Sequence, residues 1–204
     1  MAYAIAAFAL WVGFLLSWHA AMFWTARAAA KAPLGRRLLY LLGFLIGFCL
    51  LFSLPPSAFG GKALPGFDAL LPESWREPLW RQPPAIGWLL VAIELAACAF
   101  AWWARLHLGR LWSGMLTLRE GHRVVDTGPY RLVRHPIYTG FILASWAFAL
   151  AFASAPMLAG ALALTLVMAI KAAEEERFLR RELGAADYDA YAARTPMLIP
   201  GGWR

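Results

Sequence analysis

Charged residues and cysteines are both scarce in this sequence. Only 15% of the 204 residues are charged, whereas 61% are hydrophobic, and the mean hydropathy is +0.57. These values exclude an ordinary soluble domain and predict an integral membrane protein. The two cysteines, Cys49 and Cys98, lie inside separate apolar runs, which excludes a disulfide framework and a cysteine-based zinc site. We therefore predict no metal centre.

Acidic residues are outnumbered by basic ones, 12 to 19, so the formal net charge is +7. In a soluble protein this excess would indicate a nucleic-acid partner. The sequence has no basic patch interleaved with aromatic residues, which is the pattern typical of nucleic-acid binding. We therefore predict no nucleic-acid partner, and we assign the positive charge to cytoplasmic loops that face anionic membrane lipids.

Five apolar stretches approach the length of about twenty residues that a helix needs to cross a bilayer. Lipid offers the backbone no hydrogen bonds, so these stretches must be helical. The last two are short and are separated only by Ala155 and Pro156, which predicts a tight helical hairpin. We predict an all-α integral membrane fold of about five transmembrane helices in a single domain, with an N-terminal three-helix part (1–104) and a C-terminal part (105–204). The predicted spans are Ala2–Trp24, Leu38–Phe59, Ala85–Ala104, Ile137–Ser154 and Met157–Lys171.

The basic residues are unevenly distributed between the predicted loops. Sixteen of the nineteen follow the first and third spans or end and follow the fifth, and three follow the second. The positive-inside rule then places the N-terminus outside and the C-terminus in the cytoplasm, and we assign the chain to a bacterial inner membrane. We expect the first span to be retained rather than removed as a signal peptide. The outer loop should cap the bundle, with Trp75, Trp80 and Trp88 at the headgroup level.

Two polar clusters flank the predicted hairpin. The first, residues 122–138, contains the stretch RHPIY, and the second, residues 171–177, contains three consecutive glutamates. A hairpin brings its two ends together, so we expect His135 and Glu175 to meet on the cytoplasmic face. Gly128 with Pro129 permits a tight turn, and Pro136 suits the first turn of a helix, whose N-terminus favours a carboxylate.

The residue types in these clusters match the parts of one ligand. Glutamates suit ribose hydroxyls or a cationic centre, and Tyr130 and Tyr138 can stack on a base or cover a cation. A ligand with a carboxylate, a cationic centre and a nucleoside is therefore expected, and S-adenosylmethionine has all three.

From His122 to Pro200 the chain resembles the isoprenylcysteine carboxyl methyltransferase family. The resemblance is carried by H-x-V-V-x-x-G-x-Y, R-H-P-x-Y-x-G, E-E-x-x-L and L-G-x-x-x-Y-x-x-Y. It implies a membrane-embedded, S-adenosylmethionine-dependent methyltransferase that acts on a lipophilic or small acceptor, a carboxylate, thiol or amine. Part 105–204 would then bind the cofactor. The implied cofactor contacts are His122, Arg123, Val124, Val125, Gly128, Tyr130, His135, Pro136, Ile137, Tyr138, Glu175 and Glu176.

The chain departs from the family pattern in two places. Lys171 falls where eukaryotic members place a substrate-binding arginine, and a lysine keeps the charge but loses the bidentate fork. The spacing after Gly184 is one residue longer than in the family, so Tyr188 and Tyr191 are not assigned to the site.

Four further residues are candidates for chemistry. We expect Arg134 and Lys171 to fix an anionic acceptor, and His135 or Glu176 to take a proton where the acceptor needs deprotonation. Glu94 lies in the middle of the third span, where a carboxylate indicates either a substrate contact or a packing hydrogen bond, with His19 as a conceivable partner.

Two other functions remain open at this stage. One is a membrane reductase of the sterol reductase type that uses NADPH, with Arg177, Arg180 and Arg181 near the 2′-phosphate. The other is a non-catalytic membrane protein linked to respiratory or nitrogen-oxide metabolism. Membrane lipids and the methyl acceptor are the expected partners, and the sequence indicates neither the acceptor's identity nor the oligomeric state.

Overall fold

A computed structural model describes residues 2–21, 28–31, 34–55, 71–112, 117–119, 124–183 and 185–202. Helices dominate these residues, and two short strands accompany them. Short 3₁₀ turns follow the fourth helix (Gly109–Leu111) and precede the fifth (Gly128–Arg131). The elements are α1 Ala2–Ala20, β1 Ala28–Lys31, α2 Leu34–Leu51, α3 Glu73–Arg76, α4 Pro84–Leu108, β2 Thr117–Arg119, α5 Pro136–Phe152, α6 Ala155–Leu183 and α7 Ala185–Arg194.

Three of the helices are long and apolar enough to cross a membrane. They are α1, α4 and the part of α6 that runs from Ala155 to Arg181, whereas α5 is apolar but has only 17 residues. These helices agree with an integral membrane protein. The count of five spans and the orientation stay predictions.

The fifth predicted span is much longer in the structure than in the sequence-based prediction. Helix α6 has 29 residues and continues beyond Lys171 through the three glutamates. The reason is that Pro156 lies in its first turn, where a helix needs no backbone N–H. The glutamates therefore stand on a continuous helix, which fixes their directions relative to the helix axis.

The strand pair is a correction to the all-α prediction. Ala30 of β1 pairs with Leu118 of β2 in an antiparallel ladder, so the segment after α1 is joined to the segment after α4. Strands of three and four residues are too short to produce a clear alternation in the sequence.

Trp11 of α1 occupies the centre of the helix bundle and is fully buried. Its ring makes edge contacts with Phe48 and Phe52 of α2 and with Phe141 and Phe148 of α5, at centroid distances of 6.0–6.2 Å. These aromatic contacts hold α1, α2 and α5 around one core.

Helices α4 and α5 approach each other closely at Gly140. A Cβ atom at this position would lie 2.7 Å from the carbonyl oxygen of Ala97, so only glycine permits the contact. This packing fixes α5, and with it the polar segment that precedes Pro136, against the rest of the bundle.

The end of the bundle opposite the polar clusters is capped by the segment before α4. The backbone N–H of Leu79 donates to the carbonyl of Ala153 at 2.8 Å, and the Gln82 side chain donates to the carbonyl of Leu150 at 2.7 Å. Both acceptors belong to the α5–α6 turn, where Ala153 has a left-handed backbone with φ of 55°. The exposed rings of this region are Trp75, Trp80 and Trp88.

Candidate active site

The two ends of the α5–α6 hairpin meet, as the sequence predicts. His135, the residue before α5, places its Nδ1 atom 3.6 Å from Oε2 of Glu175 on α6. Forty residues of sequence separate the two side chains, and the short turn at Ser154 brings them together. The hairpin therefore assembles one compact polar cluster from both predicted motifs.

Glu175 is the centre of this cluster. Its Oε1 atom accepts hydrogen bonds from the Tyr138 hydroxyl at 2.7 Å and from the Lys171 ammonium at 2.7 Å. Lys171 lies one turn earlier on the same helix, also donates to the Tyr138 hydroxyl, and holds its Nζ 4.8 Å from the centroid of that ring. The Glu175 side chain is 20% exposed and that of Lys171 only 3%, so the carboxylate, and not the ammonium, is accessible.

His135 is held between two carboxylates. Its ring is stacked on that of Tyr138 with an interplanar angle of 3° and a centroid distance of 5.4 Å. Its Nε2 atom faces Oε1 of Glu176 at 3.3 Å, while Nδ1 faces Glu175. The imidazole is therefore fixed in orientation and can exchange a proton with either glutamate.

Arg134 and Glu176 form a buried bidentate ion pair. The Nε and Nη2 atoms of Arg134 donate to the two oxygens of Glu176 at 2.7 and 3.1 Å, and both side chains are 6% exposed. The remaining terminal nitrogen donates to the carbonyls of Ala192, at 3.0 Å, and Thr195. Arg134 thus joins α6 to the segment that follows α7.

That segment, residues 195–198, runs along the RHP stretch. The backbone N–H groups of Arg134 and His135 donate to the carbonyls of Pro196 and Met197, at 2.9 and 3.1 Å. The Thr139 hydroxyl is 2.6 Å from the carbonyl of Leu198. These contacts fix the backbone at the entrance to α5, so the cluster depends on three separate parts of the chain.

The turn at Gly128 lies beside a histidine that the sequence reasoning missed. Gly128 has a left-handed backbone with φ of 57°, and a Cβ atom there would lie 2.7 Å from the His107 ring. His107 is hydrogen-bonded to the Thr127 hydroxyl at 2.9 Å and stacks on Tyr130 with centroids 6.2 Å apart. Nothing in its sequence context at the end of α4 pointed to this contact.

Three tyrosines form the support beneath this turn. Tyr130 is buried, and Tyr191 donates a hydrogen bond to its carbonyl at 2.6 Å. Tyr188 packs at right angles to Tyr191, together with Val124. Burial raises the pKa of all three phenols above the usual range, so they remain neutral. Tyr188 and Tyr191, which the sequence left unassigned, therefore have a packing role.

The other predicted cofactor contacts are distributed around the cluster. Pro136 and Ile137 open α5 and are buried, and Val125 packs on the main core. The first-turn N–H groups of a helix have no partner within that helix, which leaves those of Ile137 and Tyr138 to other acceptors. His122 and Arg123 lie outside the described residues.

Helix α2 also reaches the cluster, which the sequence reasoning missed. Arg36 forms an ion pair with Glu174 at 3.3 Å, and the Tyr40 hydroxyl is hydrogen-bonded to the same carboxylate. Glu174 was expected to pair along its own helix, and this expectation was wrong. The signal that could have found the contact is the Gly43-x-x-x-Gly47 motif, which brings apolar helices close together.

Glu94 stands apart from the cluster. It is fully buried in α4, and among the described residues neither of its oxygens has a hydrogen-bond partner. The suggested pairing with His19 is wrong, because His19 is exposed at the last turn of α1 and donates to the Leu15 carbonyl at 2.7 Å. Ala104, which lies beside Tyr130, is ten residues further along α4, about 15 Å away at the rise of a helix.

Within the part of the chain that the structure describes, no group of three or more His, Cys, Asp or Glu side chains could hold a metal ion. Every carboxylate of the cluster instead faces an arginine, a lysine, a histidine or a tyrosine. The arrangement is suited to binding a polar organic ligand and to holding a proton.

Comparison with known proteins agrees with this arrangement. Residues 89–181 match the model of the isoprenylcysteine carboxyl methyltransferase (ICMT) family, which confirms the resemblance. Methanethiol S-methyltransferase 2 of Bradyrhizobium diazoefficiens is 33% identical over 148 residues, which cover 64% of this chain and 54% of that protein. Methanethiol S-methyltransferase 1 of the same organism is 32% identical over 143 residues, 61% of this chain and 48% of that protein.

A third relative has a different kind of name. Nickel-cobalt-cadmium resistance protein NccN of Alcaligenes xylosoxydans xylosoxydans is 35% identical over 97 residues, which cover 46% of this chain and 44% of that protein. The chain therefore spans about half the length of the curated relatives it matches.

Proposed function

Because this chain shares the ICMT family segment over residues 89–181, we propose that it is a membrane-embedded methyltransferase that uses S-adenosylmethionine. The observation that carries the proposal is the convergence of His135, Tyr138, Lys171 and Glu175 at the open ends of one hairpin. The names of two relatives, both methanethiol S-methyltransferases, support the reaction class. We assign the site to the cytoplasmic side of a bacterial inner membrane, on the distribution of basic residues.

The residues of the cluster fit S-adenosylmethionine. Glu175 keeps its Oε2 atom free of the Lys171 and Tyr138 bonds and is partly exposed, so it can accept hydrogen bonds from ribose hydroxyls. The N-terminus of α5 supplies backbone N–H groups for the carboxylate of the ligand. The stacked rings of His135 and Tyr138 give an aromatic surface beside the cationic centre.

When bound, the cofactor supplies an electrophilic methyl group: the acceptor atom bonds to the methyl carbon while the methyl–sulfonium bond breaks and S-adenosylhomocysteine leaves. The protein's own contribution is to orient the two reactants and to exclude water. Lys171, being buried, is suited to hold an anionic acceptor such as a thiolate or carboxylate. His135 can take the proton of a neutral thiol, because Glu175 and Glu176 stabilise its protonated form.

Arg134 has a positioning role in this proposal. Its guanidinium donates to Glu176 and to two backbone carbonyls, so we assign it to the support of His135 rather than to the acceptor. The division of labour between parts 1–104 and 105–204 follows from the same placement, with all the proposed cofactor contacts in the second part.

The first experiment is binding of S-adenosylmethionine to the purified protein, measured by calorimetry in detergent and in nanodiscs. The Glu175→Gln variant should bind about 10- to 100-fold more weakly, because it loses charge-assisted hydrogen bonds. Glu77→Gln, an exposed residue before α4, is the matched control and should bind normally. Absence of binding by the unaltered protein in both environments would contradict the proposal.

The second experiment identifies the acceptor. Labelled methyl transfer is measured with methanethiol and with a membrane lipid extract, which tests a small and a lipophilic acceptor. No feature of the described residues favours the NADPH reductase, because Arg180 is engaged by Asp189 at 2.6 Å and Arg177 by the Ala173 carbonyl. NADPH included in the binding assay would reveal the contrary.

A further inference from the structure

Helix α2 packs along α6 in backbone contact. A Cβ atom at Gly43 would lie 2.7 Å from Val167, and one at Gly47 would lie 2.7 Å from Leu164. A Cβ atom at Gly160 would collide with the backbone of Leu51. Over this length the seam between the two helices has no room for an alkyl chain.

The register of this seam leads directly to the proposed site. The contacts pair Leu51 with Gly160, Gly47 with Leu164 and Gly43 with Val167, so the helices are antiparallel. One turn further, Tyr40 falls opposite Lys171. The ion pair of Arg36 with Glu174 extends the same register by another turn.

Tyr40 faces the cluster and not the lipid. It is 8% exposed, whereas its neighbours Leu39 and Leu41 are 69% and 49% exposed. Its hydroxyl is hydrogen-bonded to Glu174 and interacts electrostatically with Glu175 and with Tyr138. Lys171 is therefore enclosed by Tyr138 on the side of α5 and by Tyr40 on the side of α2.

We infer that Tyr40 is a specificity-determining residue that limits the methyl acceptor to a short chain. This inference rests on the proposed function, with Lys171 beside the acceptor. A short thiol or thiolate fits a site closed by two phenol rings and a sealed helix seam. A long alkyl chain extending from Lys171 towards α2 would meet Tyr40 first and the α2–α6 backbone contact beyond it.

The test compares Tyr40→Ala, which removes the ring, with Tyr40→Phe, which keeps the ring but removes the hydroxyl. Labelled methyl transfer is measured for alkyl thiols of increasing length. The ratio of kcat/KM for a six-carbon thiol to that for methanethiol should rise at least about tenfold in Tyr40→Ala, and it should stay near the unaltered value in Tyr40→Phe. An unchanged ratio in a folded Tyr40→Ala variant would overturn the inference.

A second readout does not depend on activity. Lys171 is 2% exposed, and the chain has only two other lysines, Lys31 and Lys62, which serve as internal references. Labelling of Lys171 by a bulky amine reagent, followed by mass spectrometry, should rise in Tyr40→Ala and not in Tyr40→Phe. Equal labelling in all three proteins would overturn the placement of Tyr40 over Lys171.

The two readouts separate the inference from the proposed function. If Tyr40→Ala increases the labelling while no protein binds S-adenosylmethionine, the methyltransferase proposal is wrong, and the size limit is overturned with it. If all three proteins bind the cofactor and transfer methyl groups with one and the same length preference, only the role of Tyr40 is overturned.

Discussion

The ion pair between Arg134 and Glu176 gives the sharpest test of how the site is held together. Both side chains are 6% exposed, and two hydrogen bonds of 2.7 and 3.1 Å join them. Truncation of Glu176 to alanine would leave a buried guanidinium with only its two carbonyl partners. Loss of one partner of a buried pair costs about 3–5 kcal/mol, and Glu176 also faces His135 at 3.3 Å. We therefore expect the Glu176→Ala variant to lose about 4 kcal/mol of its free energy of unfolding.

The measurement is reversible denaturation in detergent micelles, followed by circular dichroism. Asp189→Ala is the control, because its pair with Arg180 has exposed side chains, 57% and 36%, and such pairs contribute at most about 1 kcal/mol. A double-mutant cycle with Arg134→Met and Glu176→Leu should give a coupling energy of at least about 2 kcal/mol. The reasoning is refuted if Glu176→Ala is no more destabilising than Asp189→Ala.

Three further predictions concern other parts of the molecule. The Gly160→Val variant should lose about 1–3 kcal/mol of stability in the same denaturation assay, because the added atoms meet the backbone of α2; an unchanged midpoint would contradict the close contact. Tyr191→Phe should cost about 1 kcal/mol through the bond lost to the Tyr130 carbonyl. Because burial raises the pKa of Tyr191, the unfolded chain ionises first and stability falls above about pH 10; the variant should show a shallower fall. Glu94→Leu should be neutral or stabilising, because its oxygens have no hydrogen-bond partner within the described residues. Loss of methyl transfer without loss of stability in that variant would instead assign Glu94 to the substrate.

The meeting of His135 and Glu175 could be predicted because it depends on local rules. Two apolar stretches joined by two residues must form an antiparallel hairpin, and the ends of a hairpin are neighbours wherever its helices stop. The prediction therefore survived an error in the length of α6. Pro156 looked like an interruption between spans, whereas it lies in the first turn of a 29-residue helix.

The contribution of α2 could not be predicted by the same rules. Tyr40 and Glu174 are more than a hundred residues apart in the sequence, and an apolar helix exposes no amphipathic stripe that would show which face is buried. Only the pair Gly43 and Gly47 marks the contact, and such a motif does not name its partner helix. The support by Tyr188 and Tyr191 was missed for a similar reason, because the spacing of residues after Gly184 does not reveal what the two rings pack against.

The docking of residues 195–198 along the RHP stretch has a consequence for biosynthesis. The ribosome delivers this segment only after α5, α6 and α7 have been made, so the hairpin can be threaded into the bilayer before its entrance is complete. During that interval the amide groups of Arg134 and His135 lack the carbonyl partners that they have in the mature protein. A premature stop codon or a proteolytic cut just before Thr195 should therefore yield a chain that is inserted normally yet has an unfinished cluster.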